Sequence, residues 1–155
     1  MPRFGEDLNG SGNTISGDLK SIRHYIGELY TLRALEYFKR YQAFGDYPIV
    51  TDPLTDNMEI LTDAAKRSPR NEVARFILSD LDKAAILMDG KDFQTTRINR
   101  DVALLLKSRV ALFEATWLKY FKGSAFVPNG EGWPGKTKEY NANYQYPRNY
   151  FNEHL

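Results

Sequence analysis

The sequence predicts an all-α fold, with tetratricopeptide-like helical hairpins followed by a long, irregular, aromatic-rich C-terminal loop region. Three observations lead to this prediction. Apolar residues recur three and four positions apart in three long segments, which is the period of one helix face. Residues that typically begin and end helices flank those segments. From Lys122 onward the helical period disappears, and Gly, Pro, Asn, Tyr and Trp dominate.

A chain of 155 residues is one domain by length. We divide it into a flexible N-terminus at 1–15, a helical-repeat core at 16–121 and an aromatic loop region at 122–155. The N-terminal segment is rich in Gly, Asn and Ser and holds few apolar residues, so it cannot bury enough surface to order itself.

The first helix is predicted at about residues 18–44. Ser16 or Asp18 can cap its first turn, because a short oxygen-bearing side chain accepts a hydrogen bond from an orphan N–H group. Gly45 can adopt the left-handed conformation that closes a helix, and Pro48 prevents the helix from resuming.

Gly27 lies inside this first helix, where glycine lowers stability relative to alanine. We expect the compensation to be the close approach of another backbone. The helix is roughly 40 Å long at 1.5 Å per residue, so it should also pack against more than one neighbour.

An irregular connector at 45–67 separates the first helix from the second. Its apolar residues Met58, Ile60 and Leu61 could pin a short helical turn onto the core. Ser68 and Pro69 then predict the start of the second helix, with serine as the cap and proline at the first helical position.

The third helix should begin after Asn99 as its cap and should pair with the second helix as an antiparallel hairpin. No repeat period is visible in the sequence itself, so tetratricopeptide-like repetition is an expectation about structure. One buried core is predicted from the three stripes: Leu29, Phe38, Phe76, Ile77, Leu81, Leu105, Leu106, Val110 and Phe113.

The composition excludes several classes of function. The net charge of +1 offers no electrostatic basis for binding nucleic acid or an anionic membrane. Without cysteine there is no disulfide, thiolate metal site or cysteine nucleophile. No run approaches the roughly 20 apolar residues of a membrane helix, and the N-terminus lacks the pattern of a signal peptide.

No catalytic, cofactor or metal motif stands out either. The two histidines, His24 and His154, have no ligand partners at metal-site spacing, and His24 is expected to have a surface or half-buried structural role. Gly130, Gly132 and Gly135 satisfy a dinucleotide-binding string, but no strand precedes them, so they indicate a turn. The acids of the connector match no calcium loop. We therefore expect no enzyme activity, no cofactor and no metal.

A resemblance to a known family is carried by three consecutive blocks. These are GELYTLRALEYFKRYQAFGDYPIV, RSPRNEVARFILSDLDKAAILM and RINRDVALLLKSRVALFEATWLKY, which together cover about residues 20–121. In this order they resemble the helices of the SusD/RagB family of nutrient-binding outer-membrane lipoproteins. Members of that family are several times longer than this chain and carry a signal and a lipidated cysteine. The resemblance therefore implies the N-terminal helical part of such a protein, a single partial domain.

The resemblance also implies a function. Family members capture glycans (oligosaccharides or polysaccharides) at the bacterial cell surface, without catalysis, and deliver them to a TonB-dependent, SusC-like transporter in the outer membrane. The alternative is a helical-repeat adaptor that binds a protein or peptide. An enzyme is a third possibility, but it would need a convergent polar cluster that the sequence does not reveal.

The aromatic loop region contains the candidate ligand site. Sugar rings stack their C–H faces on aromatic planes, and their hydroxyl groups need polar partners. The predicted ligand-binding residues combine both types: Trp133, Tyr140, Asn141, Asn143 and Tyr144. Burial is the competing explanation for such rings. It is favoured for Trp117 and Phe121, on the apolar face of the third helix. For Trp133 burial and ligand stacking stay open as equal alternatives, because the flanking glycines make an exposed turn.

Arg33 lies on the first helix and has two interpretations. It could contact a ligand, or it could bridge the helix packing to a carboxylate such as Asp46 or Asp80. We favour the structural interpretation, and the turn at 45–48 is expected to be structural as well.

Overall fold

The computed structural model describes residues 17–89, 96–135 and 143–147. These residues form four α-helices: α1 (Leu19–Phe44), α2 (Met58–Ala64), α3 (Arg70–Leu87) and α4 (Arg100–Tyr120). Within the described ranges there are no strands, only two isolated bridges, Tyr47 with Ser68 and Arg67 with Tyr144. The all-α prediction is confirmed. The domain boundaries and the tetratricopeptide-like repetition stay predictions.

Helix α1 begins and ends where the sequence predicts. The Asp18 carboxylate accepts a hydrogen bond from the Ser21 N–H at 2.9 Å, which identifies Asp18 rather than Ser16 as the cap. At the other end Gly45 has a φ of 70°, and its N–H donates to the Tyr41 carbonyl oxygen. Glycine adopts this φ without the steric cost that a Cβ would add.

The predicted close approach at Gly27 is confirmed. A Cβ at this position would lie 2.5 Å from Met88 Cγ and 3.2 Å from the Ala84 carbonyl oxygen, both near the end of α3. The missing side chain therefore allows the α3 backbone to pack directly against α1.

Helices α1, α3 and α4 form one layer with α3 in the middle. Contacts between side chains show that neighbours run antiparallel: Arg100 contacts Asp89 and Lys107 contacts Asp82, so α4 returns along α3. Helix α3 packs against both α1 and α4, whereas α1 and α4 touch each other little. One end of the layer therefore holds the C-termini of α1 and α4 and the N-terminus of α3.

The predicted core is confirmed in its centre and wrong at two positions. Phe38, Ile77, Leu81 and Val110 are buried together, and Phe76, Leu106 and Phe113 are partly buried. Leu29 and Leu105 are exposed instead. In α4 the core-facing line runs through Ala103 and Val110, and Leu105 lies on the opposite side of the helix.

Two further expectations about the connector are wrong. Helix α2 forms after its cap Asn57, but none of its residues is buried and Met58 is exposed, so it is not pinned to the core. Helix α3 begins at Arg70, with Pro69 as its cap residue and no side-chain cap from Ser68. The Ser68 backbone is engaged elsewhere, because its N–H and C=O exchange hydrogen bonds with Tyr47.

Replacing Leu81 by alanine should lower the free energy of unfolding by roughly 2–5 kcal/mol, because the side chain is fully buried at the centre of the layer. Ile86→Ala is the matched control on the same helix, and because Ile86 is exposed it should change stability by less than about 0.5 kcal/mol. Urea unfolding followed by circular dichroism measures both. Equal effects of the two substitutions would contradict the assigned core.

Candidate functional site

Asp46 is the centre of the polar structure at the end of the layer. Its Oδ1 accepts a hydrogen bond from the Arg70 backbone N–H at 2.8 Å. Its Oδ2 accepts two more, from the Trp133 indole N–H at 2.9 Å and from the Tyr144 hydroxyl at 2.5 Å. The carboxylate thus caps α3 from outside that helix and joins it to two segments of the loop region.

An aromatic cluster sits on this carboxylate. Trp133 is only 4% exposed and contacts the Tyr144 ring edge-on, with centroids 5.8 Å apart. Tyr146 stacks on Tyr144 and donates its hydroxyl proton to the Gly135 carbonyl oxygen at 2.6 Å. Burial raises the pKa of Tyr146 to about 12, and burial together with the bond to Asp46 raises the pKa of Tyr144 further. Both hydroxyls are therefore protonated at neutral pH.

This arrangement decides between the two alternatives for Trp133 in favour of burial. The flanking glycines do form turns, with φ of 78° at Gly132, but they fold the indole inward onto Asp46. Asn143 is exposed, and its carbonyl oxygen accepts the Arg67 N–H at 2.8 Å. Tyr140 and Asn141 lie outside the described residues. The structure thus brings Trp133 and Tyr144 together, and the ligand-binding role of all five residues stays a prediction.

Behind this cluster, the Arg70 guanidinium is held between two rings. Its Cζ lies 4.4 Å from the Tyr41 ring centroid and 4.3 Å from that of Trp117. Its Nε donates to Glu114 Oε2 at 3.2 Å. Because both side chains are buried, the pKa of Arg70 falls to about 10 and that of Glu114 rises to about 7. Their mutual contact favours the charged forms and opposes both shifts.

Three polar atoms around this pair find no hydrogen-bond partner among the described residues. They are the Tyr41 hydroxyl oxygen, Arg70 Nη2 and Glu114 Oε1. Arg70 Nη2 lies 3.2 Å from Glu114 Oε2, but at an angle too poor for a hydrogen bond. Buried polar atoms without partners cost free energy, so this pair is the least satisfied part of the polar structure.

Trp117 and Phe121 are partly buried, rather than fully enclosed in the core as expected. The Trp117 indole N–H donates to the Phe126 carbonyl oxygen at 3.1 Å, and its ring contacts Phe121 at a centroid distance of 4.4 Å. Trp117 therefore binds the loop that follows α4, and its ring also lines a cleft at this end of the layer.

A cleft of about 440 Å³ opens at this end of the layer. Its mouth carries two strongly exposed rings, Phe44 at 61% and Phe126 at 62%. Its remaining walls combine aromatic and polar side chains, among them Gln42, Asp46, Arg67, Arg70, Trp117, Trp133 and Tyr144. Exposed rings beside hydrogen-bonding groups in one concavity can stack on an amphipathic ligand and also bind its polar groups.

Most residues of this cleft carry no recognisable signal in the sequence. Phe44 and Phe126 were assigned no role, although Phe44 is the last residue of α1 and Phe126 lies in the loop after α4. Arg70 gave no signal, because its importance depends on rings from two other helices.

Other expectations can be settled from the described residues. Arg33 donates from Nε and Nη2 to the two Asp80 oxygens at 2.7 and 2.8 Å, which confirms the structural bridge. His24 is fully buried, 3.4 Å from Glu28, so it lies deeper than the surface or half-buried position that was expected. His154 lies outside the described residues. No group of three or more potential metal ligands occurs among the residues described, and no described helix is long and apolar enough to cross a membrane.

Comparisons with known proteins give a consistent result. No family model matches the chain. SusD-like protein P2 of Formosa agariphila is 27% identical over 117 residues, covering 76% of this chain and 23% of the relative. SusD-like protein P38 of the same organism is 39% identical over 61 residues, covering 39% of this chain and 12% of the relative.

Solved structures agree. A SusD-like protein from Bacteroides fragilis matches with a TM-score of 0.55 and 31% identity, over 70% of this chain and 21% of that one. A laminarin-binding SusD-like protein matches with a TM-score of 0.55 and 25% identity, over 82% of this chain and 27% of that one. The resemblance drawn from the sequence is confirmed: the chain is similar to SusD-like proteins, and it spans between 12% and 27% of the length of these relatives.

Glu114 should make stability depend on pH. Its folded pKa of about 7 exceeds the ordinary 4.5, so the folded state keeps a proton that the unfolded state has released. The stabilisation is complete below about pH 4.5 and is lost as the pH rises through about 7. Between pH 5 and 8 we expect a loss on the order of 1–2 kcal/mol, reduced by the opposing contact with Arg70.

Glu114→Gln is the matched variant, because it keeps the shape of the side chain and removes the titration. Urea unfolding at several pH values should give a flatter dependence for the variant than for the parent chain. Parallel curves for the two proteins would show that Glu114 does not titrate in this range.

Proposed function

We propose that the chain takes part in non-catalytic capture of oligosaccharides. The observation that carries the proposal is the cleft at the end of the helical layer, where Phe44 and Phe126 expose their rings next to hydrogen-bonding side chains. Similarity to a laminarin-binding SusD-like protein supports a glycan as the ligand.

The chemistry of the cleft suits a sugar. The exposed rings offer apolar faces for the C–H groups of a pyranose. Gln42 and Arg67 at the cleft offer an amide and a guanidinium for its hydroxyl groups. The volume of about 440 Å³ lies within the range of small-ligand pockets.

The five ligand-binding residues predicted from the sequence have two different roles in this proposal. Trp133 and Tyr144 contribute to the wall of the cleft while their polar atoms are bound to Asp46. Their contribution is to hold the concavity open rather than to serve as a free platform. Tyr140, Asn141 and Asn143 remain proposed ligand contacts from the loop region.

The cellular setting of the proposal rests on the resemblance. A SusD-like protein would act as a lipoprotein at the surface of the bacterial outer membrane and pass its glycan to a TonB-dependent, SusC-like transporter. The chain's similarity to a protein named for binding supports capture rather than catalysis.

A second candidate function, a helical adaptor that binds protein, is favoured by a different observation. The outward side of α4 exposes large apolar residues, among them Leu105 and Leu112. Such a face is typical of a helix that packs on another polypeptide.

Replacing Phe126 or Phe44 by alanine should weaken the binding of laminarin oligosaccharides by about 1–3 kcal/mol, if stacking on sugars resembles base–aromatic stacking in size. Isothermal titration calorimetry on the 155-residue chain measures the affinity. Helix content should not change, because both rings are strongly exposed.

The control is Tyr120→Ala, which removes an exposed ring that is not assigned to the cleft. It should leave affinity unchanged. If the Phe126 and Tyr120 variants bind equally well, the cleft is not the glycan site. If the parent chain binds no glycan in a panel of neutral and acidic oligosaccharides, the chain itself does not capture sugars.

A further inference from the structure

The side of α4 that faces away from the core carries an ordered stripe. At about 100° per residue, its members lie within about 40° of one line along the helix. In chain order they are Asp101, Leu105, Ser108, Leu112, Ala115 and Lys119. The buried residues Ala103 and Val110 lie on the opposite side. The stripe therefore points directly away from α3.

The stripe has the composition of a contact surface. Leu105 is 73% exposed and Leu112 is 67% exposed, and both lie between the charged ends of the stripe. The solvent face of a helix is ordinarily polar, because its apolar residues are drawn to the core side. In the described part of the chain α4 packs against α3 and slightly against α1, both on its other side.

We propose that this stripe packs against the same stripe of a second copy of the chain, with the two α4 helices antiparallel about a two-fold axis. The spacing of three and four residues is that of a helix–helix seam, and a two-fold interface must be complementary to itself. The two-fold axis crosses α4 at the level of Val110. A residue of one copy therefore faces the residue of the second copy whose number, added to its own, gives about 220.

This register matches large side chains with small ones. Leu105 lies opposite Ala115 of the second copy, and Ser108 lies opposite Leu112. Leucine against alanine or serine allows the helices to approach closely without a clash or a void. The Ser108 hydroxyl can bond to a carbonyl of its own preceding turn, so its burial leaves no unpaired donor.

The same register matches charges. Asp101 at one end of the stripe lies opposite Lys119 of the second copy, and the two-fold axis repeats the pair at the other end. Moving one helix by a single turn separates both pairs. The charges therefore specify the antiparallel register, while the leucines provide the buried apolar area.

Sedimentation velocity of the 155-residue chain over a range of concentrations tests the pairing. We expect a reversible monomer–dimer equilibrium. Leu112→Glu should abolish the dimer without changing helix content, because the side chain is exposed in the single copy. A parent chain that stays monomeric at all concentrations, or a dimer that survives Leu112→Glu, overturns the proposal.

Charge exchange tests the register. Asp101→Lys and Lys119→Asp should each raise the dimer dissociation constant about tenfold, because each places like charges opposite each other twice. The double variant should return to within about threefold of the parent chain. If the double variant is weaker than either single variant, the register is wrong.

Two controls separate this result from general effects. Lys122→Asp makes the same charge change just beyond α4 and should leave the dissociation constant unchanged. The chain contains no cysteine, so mixing Ser108→Cys with Leu112→Cys under oxidising conditions should give a cross-linked heterodimer. Preferential cross-linking within each variant alone would contradict the proposed pairing.

Discussion

The hydrogen bonds of the Asp46 carboxylate are the interactions on which the structure at the α3 N-terminal end of the helical layer depends. This carboxylate accepts hydrogen bonds from the start of α3, from Trp133 and from Tyr144, which are far apart in the sequence. A carboxylate withdrawn from water is unfavourable unless donors replace its solvation, and three donors do so here. Removing it would leave each of the three donors without its partner and would weaken the attachment of Trp133 and Tyr144 to the helical layer.

The position of the cleft follows from the antiparallel order of the helices. Because α3 is antiparallel to both α1 and α4, the end of α1, the start of α3 and the end of α4 meet at one place. Gly27 brings α1 against α3, and the Arg70 guanidinium lies between rings from α1 and α4. The cleft opens where these three termini and the loop region leave a concavity, so its walls come from α1, α3, α4 and the loop region together.

Local signals in the sequence predicted the parts of the fold that depend on local physics. Asp18, Asn99 and Gly45 were identified as helix termini because each acts on backbone groups a few residues away. The predicted apolar face of α3 was also correct, because its period of three and four residues is local as well. Leu105 was misassigned because α4 is apolar on both sides, so periodicity alone does not show which side faces α3.

The candidate site was harder to predict because it depends on non-local partners. The glycines around Trp133 correctly indicated turns, but the burial of the indole is determined by Asp46, 87 residues earlier in the chain. The bridge from Arg33 to Asp80 was expected because both side chains lie on predicted helices that had to pack. The roles of Phe44 and Phe126 emerge only when two helix ends are brought together.

A double-mutant cycle between Asp46→Ala and Tyr144→Phe tests the central role of Asp46 most directly. Unfolding free energies of the parent chain, both single variants and the double variant should give a coupling energy of about 1–3 kcal/mol, because the two groups share one hydrogen bond. The matched control is Tyr146→Phe, whose hydroxyl bonds to Gly135 instead, and its coupling to Asp46→Ala should be much smaller. Coupling near zero for Tyr144, or equal for both tyrosines, would contradict the account of Asp46 as the group that holds the loop region to the helices.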